Sequence, residues 1–131
     1  MTEIKLENVS YAYDEQQILK DISLQVEAGQ VVAILGPSGV GKTTLFNLIA
    51  GILEVQSGRI VLDGQENPKG RVSYMLQKDL LLEHKTVLGN IILPLLIRKV
   101  SKKKATEQAT QILKEFGLFD VADKYPHELS G

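Results

Sequence analysis

The chain has 131 residues, of which 44% are hydrophobic; 15 lysines and arginines face 16 acidic residues, for a formal net charge of −1, and cysteine is absent. This length suits one domain around a single core, and the composition excludes disordered and collagen-like classes. A balanced charge argues against nucleic-acid binding through a broad basic face, and the lack of cysteine excludes disulfides and thiolate-ligated metal.

The opening Met1-Thr2-Glu3-Ile4-Lys5 has no apolar core of the kind a signal peptide needs. Ile4, Leu6 and Asn8 alternate with polar neighbours as far as Tyr11 and Tyr13, which predicts a half-buried strand. After the polar turn Asp14-Glu15-Gln16, Ile22, Leu24 and Val26 alternate again and predict its antiparallel hairpin partner. Val31-Val32-Ala33-Ile34-Leu35 is continuously apolar, the pattern of a strand buried on both faces in a parallel sheet. A helix is expected from Gly41 or Lys42 to about Ala50, with Leu45, Leu48 and Ile49 on one face and Gly51 as its stop.

Two short strands are expected next, Gly58 to Leu62 and Arg71 to Leu76, around the turn-rich Asp63-Gly64 and Asn67-Pro68. Thr86 is placed to cap a helix from Val87 to Lys99 with Pro94 inside it. Ser101 is placed to cap another, with Ala105, Ala109, Ile112, Leu113 and Phe116 at helical spacing and Gly117 ending it. The longest apolar run, Ile91 to Ile97, falls well short of the roughly 20 residues a spanning helix needs.

The segment richest in chemistry is Gly36-Pro37-Ser38-Gly39-Val40-Gly41-Lys42-Thr43, which fits G-x-x-x-x-G-K-[ST] between a predicted strand and a predicted helix. Glycines let the backbone curl its N–H groups onto phosphate oxygens, and a helix N-terminus adds unpaired donors and the positive end of a dipole. Lys42 supplies a point charge for the β- and γ-phosphates, and the Thr43 hydroxyl is a hard oxygen ligand suited to Mg²⁺. A chance match in a chain this long is roughly one in a few hundred at average glycine usage.

Further residues narrow the class. The chain closes on Leu129-Ser130-Gly131, which resembles the start of the Leu-Ser-Gly-Gly-Gln signature of ATP-binding cassette (ABC) proteins. Met75-Leu76-Gln77, ahead of Leu80-Leu81-Leu82 and Thr86-Val87, is similar to that family's Q-loop. Asn8-Val9-Ser10-Tyr11-Ala12-Tyr13 and Ile18-Leu19-Lys20-Asp21-Ile22-Ser23-Leu24 resemble its opening hairpin. The span from Asp63-Gly64 to Gln77 is similar to ATPases of nitrate, sulfonate, taurine and pyrimidine uptake systems.

The resemblance implies an α/β phosphate-loop NTPase fold, with a nucleotide-binding core over 1–85 that carries an antiparallel β subdomain and the start of a helical signature subdomain over 86–131. It implies ATP and Mg²⁺ as ligands, held by Gly36, Pro37, Ser38, Gly39, Val40, Gly41, Lys42, Thr43 and Thr44. Tyr13 takes the place of the aromatic that stacks on adenine, with Tyr11 a second candidate two residues away. Gln77 would reach Mg²⁺ and the attacking water, while Ser130 and Gly131 would clasp the ATP of a second, head-to-tail ATPase subunit. Leu80 to Asn90 would face a separate membrane permease. An extracellular substrate-binding protein would complete the system; the ATPase itself would lie peripherally at the cytoplasmic face of the plasma membrane, and no nucleic acid is implied.

The family's second signature glycine and glutamine, its magnesium-supporting aspartate, its catalytic glutamate and its switch histidine have no match here. His84 and His127 stand elsewhere in the order of motifs. The 131 residues are therefore expected to bind Mg-ATP weakly on their own and to turn it over negligibly. A GTPase or nucleotide kinase is disfavoured, because there is no guanine-reading Asn-Lys-x-Asp and no reason for the Leu-Ser-Gly ending.

Overall fold

The computed structural model describes residues 3–66 and 69–130, so Asn67 and Pro68 of the expected turn and Gly131 of the expected signature lie outside the described residues. The chain divides into two compact units, Met1–Met75 and Leu76–Gly131.

The first unit is built on an antiparallel sheet. Strands β1 (Ile4–Tyr13) and β2 (Gln16–Val26) form the expected hairpin, and β3 (Ser57–Leu62) and β4 (Gln65–Glu66) extend it in the order β2-β1-β3-β4. Leu6 pairs with Leu24 on one side and with Ile60 on the other. Helix α1 (Lys42–Ile49) lays Leu45, Leu48 and Ile49 into a core with Leu6, Val9, Tyr11, Leu19 and Ile60. Leu6, Val9 and Leu48 are each almost wholly removed from water, worth about 1.5–3 kcal/mol apiece.

Strict alternation would have kept Leu6 and Asn8 on one face. Instead Leu6, Val9 and Tyr11 are buried and Asn8 is exposed, because β1 shifts register between Leu6 and Val9. Asn8 takes a left-handed φ of 50°, matched by Asp21 at 50° on β2. Side chains replace the lost rungs: Asn8 Nδ2 donates to Asp21 Oδ1 at 2.7 Å, Ser23 Oγ accepts from Asn8 N at 3.0 Å, and Ser10 Oγ accepts from Asp21 N at 2.9 Å. This is a β-bulge, which bends the strand and re-aims the residues beyond it.

On the sheet's polar face Glu7 lies between Lys5, at 2.7 Å, and Arg59. The hydrogen bond from Arg59, then that from Lys5, lowers the Glu7 carboxyl from its ordinary 4.5 to about 2.

The expected strand at 31–35 does not form, and neither does the one at 71–76. Val31 is 99% and Leu35 91% exposed, with only Ile34 resting on the core. A parallel strand buried on both faces needs ladder partners on both sides, and the described sheet is wholly antiparallel and offers none. Val31, Val32 and Ile34 instead border an apolar groove of about 480 Å³ with Phe46, Ile49 and Met75.

The second unit pairs helix α2 (Val87–Ile97) with helix α3 (Lys102–Glu115). Both predicted caps are in place: Thr86 Oγ1 accepts from Gly89 N at 3.1 Å and Ser101 Oγ from Lys104 N at 3.4 Å. α3 buries Ala105, Ala109 and Leu113, so small side chains set the packing face, whereas Ile112 and Phe116, expected on the same stripe, are exposed. Asn90 ties α2 to the preceding loop: its Oδ1 accepts from Leu82 N at 2.7 Å and its Nδ2 donates to Leu82 O, Lys85 O and Thr86 O at 3.1–3.2 Å. Among the described residues no helix is long and apolar enough to cross a membrane.

Candidate functional site

The loop at 36–43 leads directly into α1, and two of its glycines take conformations that other residues resist. Gly39 has φ 80° and Gly41 φ 105°. A Cβ on Gly41 would lie 3.0 Å from both Ile18 Cγ2 and Leu19 Cδ2, so the last turn of the loop is pressed against β2. That contact fixes where the helix begins relative to the sheet.

The helix it opens is electrostatically unfinished. Leu45 N donates to Gly41 O at 3.0 Å as the first helical rung, so the amides of Lys42, Thr43 and Thr44 precede the ladder. α2 and α3 each carry a hydroxyl cap, whereas the residue capping α1 is Gly41, which has no side chain; the first turn of α1, like those of α2 and α3, holds no acidic residue. Free amides, a positive dipole end and no resident anion make a seat for phosphate oxygens. Lys42 is half-buried beside it, with its ammonium donating to Gly36 O and, at 3.1 Å, to Pro37 O.

Thr43 is exposed at the start of α1, and its hydroxyl is a hard oxygen donor of the kind Mg²⁺ selects; the donor chemistry fits. Thr44 differs: its side chain is buried, so only its backbone amide is left for a ligand. Pro37, Ser38, Gly39 and Val40 form the exposed crest of the loop.

Tyr13 ends β1 and is 46% exposed, whereas Tyr11 is only 9% exposed. Their rings meet edge to face, with centroids 5.0 Å apart and planes at 78°. Burial, reinforced by Tyr13, holds the Tyr11 phenol above its ordinary range. Of the two candidates left open by the sequence, Tyr13 is the more exposed and Tyr11 packs against it. Tyr11 is the register partner of Leu19, the residue against which Gly41 packs, so one contiguous path runs from the phosphate loop to the aromatic.

Sequence reasoning gave Gln56 no role. Its carboxamide nevertheless grips the backbone of Ala12 from both ends, with Oε1 accepting from Ala12 N at 2.8 Å and Nε2 donating to Ala12 O at 2.9 Å. Nothing in the sequence pattern marks such a contact, since 44 residues separate the two.

Gln77 and Ser130 belong to the second unit and are both exposed, Gln77 in a bend and Ser130 after the short turn Pro126–Glu128. In that turn Glu128 Oε2 accepts from Tyr125 N at 2.8 Å. His127 stacks on Tyr125 with centroids 6.0 Å apart, and among the described residues no acidic or histidine cluster could hold a metal by itself.

The sequence profile of the family described as ABC transporter matches residues 19–131. The uncharacterized ABC transporter ATP-binding protein YtlC of Bacillus subtilis is 37% identical over 137 residues, covering 100% of this chain and 53% of that protein. The bacitracin export ATP-binding protein BceA of Halalkalibacterium halodurans is 38% identical, over 90% of this chain and 51% of its own. The spermidine/putrescine import ATP-binding protein PotA of Thermotoga maritima is 39% identical, over 98% of this chain and 36% of its own.

The chain thus spans about half the length, or less, of these relatives. Among solved structures, the ATP-binding cassette MJ1267 of an ABC transporter superposes with a TM-score of 0.84 at 29% identity, covering 100% of this chain and 60% of that one. The cassette MJ0796, a dimer bound to ADP and Pi, gives 0.79 at 27%, over 97% of this chain and 63% of its own.

Proposed function

The chain belongs to the ABC transporter ATPase family, and from that premise we propose that it contributes the phosphate-binding half of a Mg-ATP site that energises transport. The observation that carries this reading is the uncapped N-terminus of α1 behind a glycine loop, with the Lys42 ammonium beside it. On binding, the ammonium would exchange the carbonyls of Gly36 and Pro37 for β- and γ-phosphate oxygens, a charge-assisted contact stronger than the two it gives up. The amides of the loop and of Lys42, Thr43 and Thr44 would take the remaining oxygens, the Thr43 hydroxyl would bind Mg²⁺, and Tyr13 would cover the adenine.

Gln77 is proposed to reach Mg²⁺ and the attacking water, and Ser130 with Gly131 to close over the nucleotide of a second subunit. The MJ0796 dimer, which holds ADP and Pi, supports a two-subunit arrangement. We assign 1–85 to the nucleotide-binding core and 86–131 to the start of the helical signature subdomain. A separate permease docking on residues 80–90, an extracellular substrate-binding protein and a peripheral place at the cytoplasmic face of the membrane complete the proposal.

The relatives are named for cargo as different as bacitracin and polyamines, moved in opposite directions. Membership in the nitrate, sulfonate and taurine importer group rests on the span from Asp63 to Gln77 alone. The 131 residues by themselves are proposed to lack efficient turnover, since none of their matched motifs supplies a water-activating carboxylate.

Titration calorimetry tests the site directly. ATP should bind in a Mg²⁺-dependent manner and AMP should bind far more weakly, because the loop grips the β- and γ-phosphates. Equal affinities for AMP and ATP would contradict a site that reads phosphates.

A further inference from the structure

The tip of the β1–β2 hairpin is held poorly by its own ladder. Register shifts fall between Val9 and Tyr11 and again between Tyr11 and Ala12, and on the other side the β1–β3 pairing stops at Ser10 with Ser57. Residues 11–13 thus run past the end of the sheet's third strand, with Tyr13 at the extremity. A strand end with irregular pairing on one side and none on the other is weakly specified in register and direction.

Gln56 supplies the missing rung. It precedes β3 by one residue, and its carboxamide makes the two hydrogen bonds to Ala12 N and Ala12 O that a further β3 residue would have made through its backbone. Ala12 is the residue between the two tyrosines. Clamping it fixes the strand between the buried Tyr11 and the more exposed Tyr13, and the edge-to-face contact at 5.0 Å then holds the exposed ring.

We propose that Gln56 is a positioning residue for the nucleotide base: by pairing with the backbone of Ala12 it sets the orientation of Tyr13 before a base arrives. The proposal rests on the reading of Tyr13 as the adenine stacker. Its energetic logic is preorganisation, since a ring already held in place loses less freedom when a ligand stacks on it.

The test is a double-mutant cycle in the intact protein, with Mg-ATP and inorganic tripolyphosphate as probes, the second carrying the phosphates without a base. Tyr13→Ala should weaken ATP by about fivefold or more. Gln56→Ala should weaken ATP by about threefold to tenfold, and neither change should alter tripolyphosphate affinity. In the Tyr13→Ala background, Gln56→Ala should have no further effect on ATP, which a residue that merely stiffens the sheet would not reproduce.

An equal loss for both probes, additive losses in the double mutant, or unchanged ATP affinity would each overturn the role of Gln56. If Tyr13→Ala left ATP affinity intact, the stacking reading would fall and Gln56 with it. If neither probe bound the unmodified protein, the phosphate site itself would be wrong.

Discussion

Replacing Lys42 by alanine is expected to lower Mg-ATP affinity about 100-fold while leaving the fold in place. Hydrogen bonds to charged groups are worth about 1.5–3 kcal/mol each, and losing a pair to the β- and γ-phosphates costs roughly 3 kcal/mol, or two decades in affinity. The structural cost is small, because the ammonium bonds only to the carbonyls of Gly36 and Pro37 in an exposed stretch of loop that water can satisfy. The melting temperature should shift by less than about 4 °C. Equilibrium titration alongside thermal unfolding separates the two effects. Unchanged affinity would remove the lysine from the site, and lost affinity with a collapsed melting temperature would show that it serves the fold.

The largest loss of stability is expected at Gly58. Its φ is 80°, and a Cβ there would sit 2.3 Å from Asn8 O, 2.4 Å from Glu7 O and 2.5 Å from Asn8 C. All three are backbone atoms of β1 at the bulge, so no side chain can swing away to make room. Gly58→Ala must push β3 from β1 and adopt a left-handed conformation as well, for a combined cost above about 3 kcal/mol. The melting temperature should fall by about 10 °C or more. Gly64→Ala is the matched control: φ is 75° but nothing lies within 4 Å of the added carbon, so only the conformational cost of about 1–2 kcal/mol applies. Equal effects of the two substitutions would refute the steric account.

The parts legible in the sequence were those with a local cause. The glycines of the phosphate loop, the hydroxyl caps at Thr86 and Ser101 and the apolar face of α1 each depend on a few adjacent residues, and each took the expected form. What escaped depends on distant partners. The phase change in β1 arises because Asn8 and Asp21 can trade ladder bonds for side-chain bonds, which alternation counting cannot register.

Residues 31–35 have the composition of a central strand, but a strand exists only where neighbours offer rungs. On α3 the alanines pack and Ile112 does not, because closeness of approach rather than hydrophobicity chose the buried stripe. Of the candidate site, the loop and lysine could be picked out directly, whereas the difference in burial between Tyr11 and Tyr13 and the contact of Gln56 with Ala12 needed the fold.

The central claim is that triphosphate is gripped by the amides of the curled loop and the first turn of α1. Its most direct test is a map of backbone amide chemical shifts as Mg-ATP is added. The shifts should concentrate on residues 36–44, with Tyr13 moving at the same ligand concentration. If those amides stayed still while a separate group of residues moved, the nucleotide would be bound elsewhere and the account would be wrong.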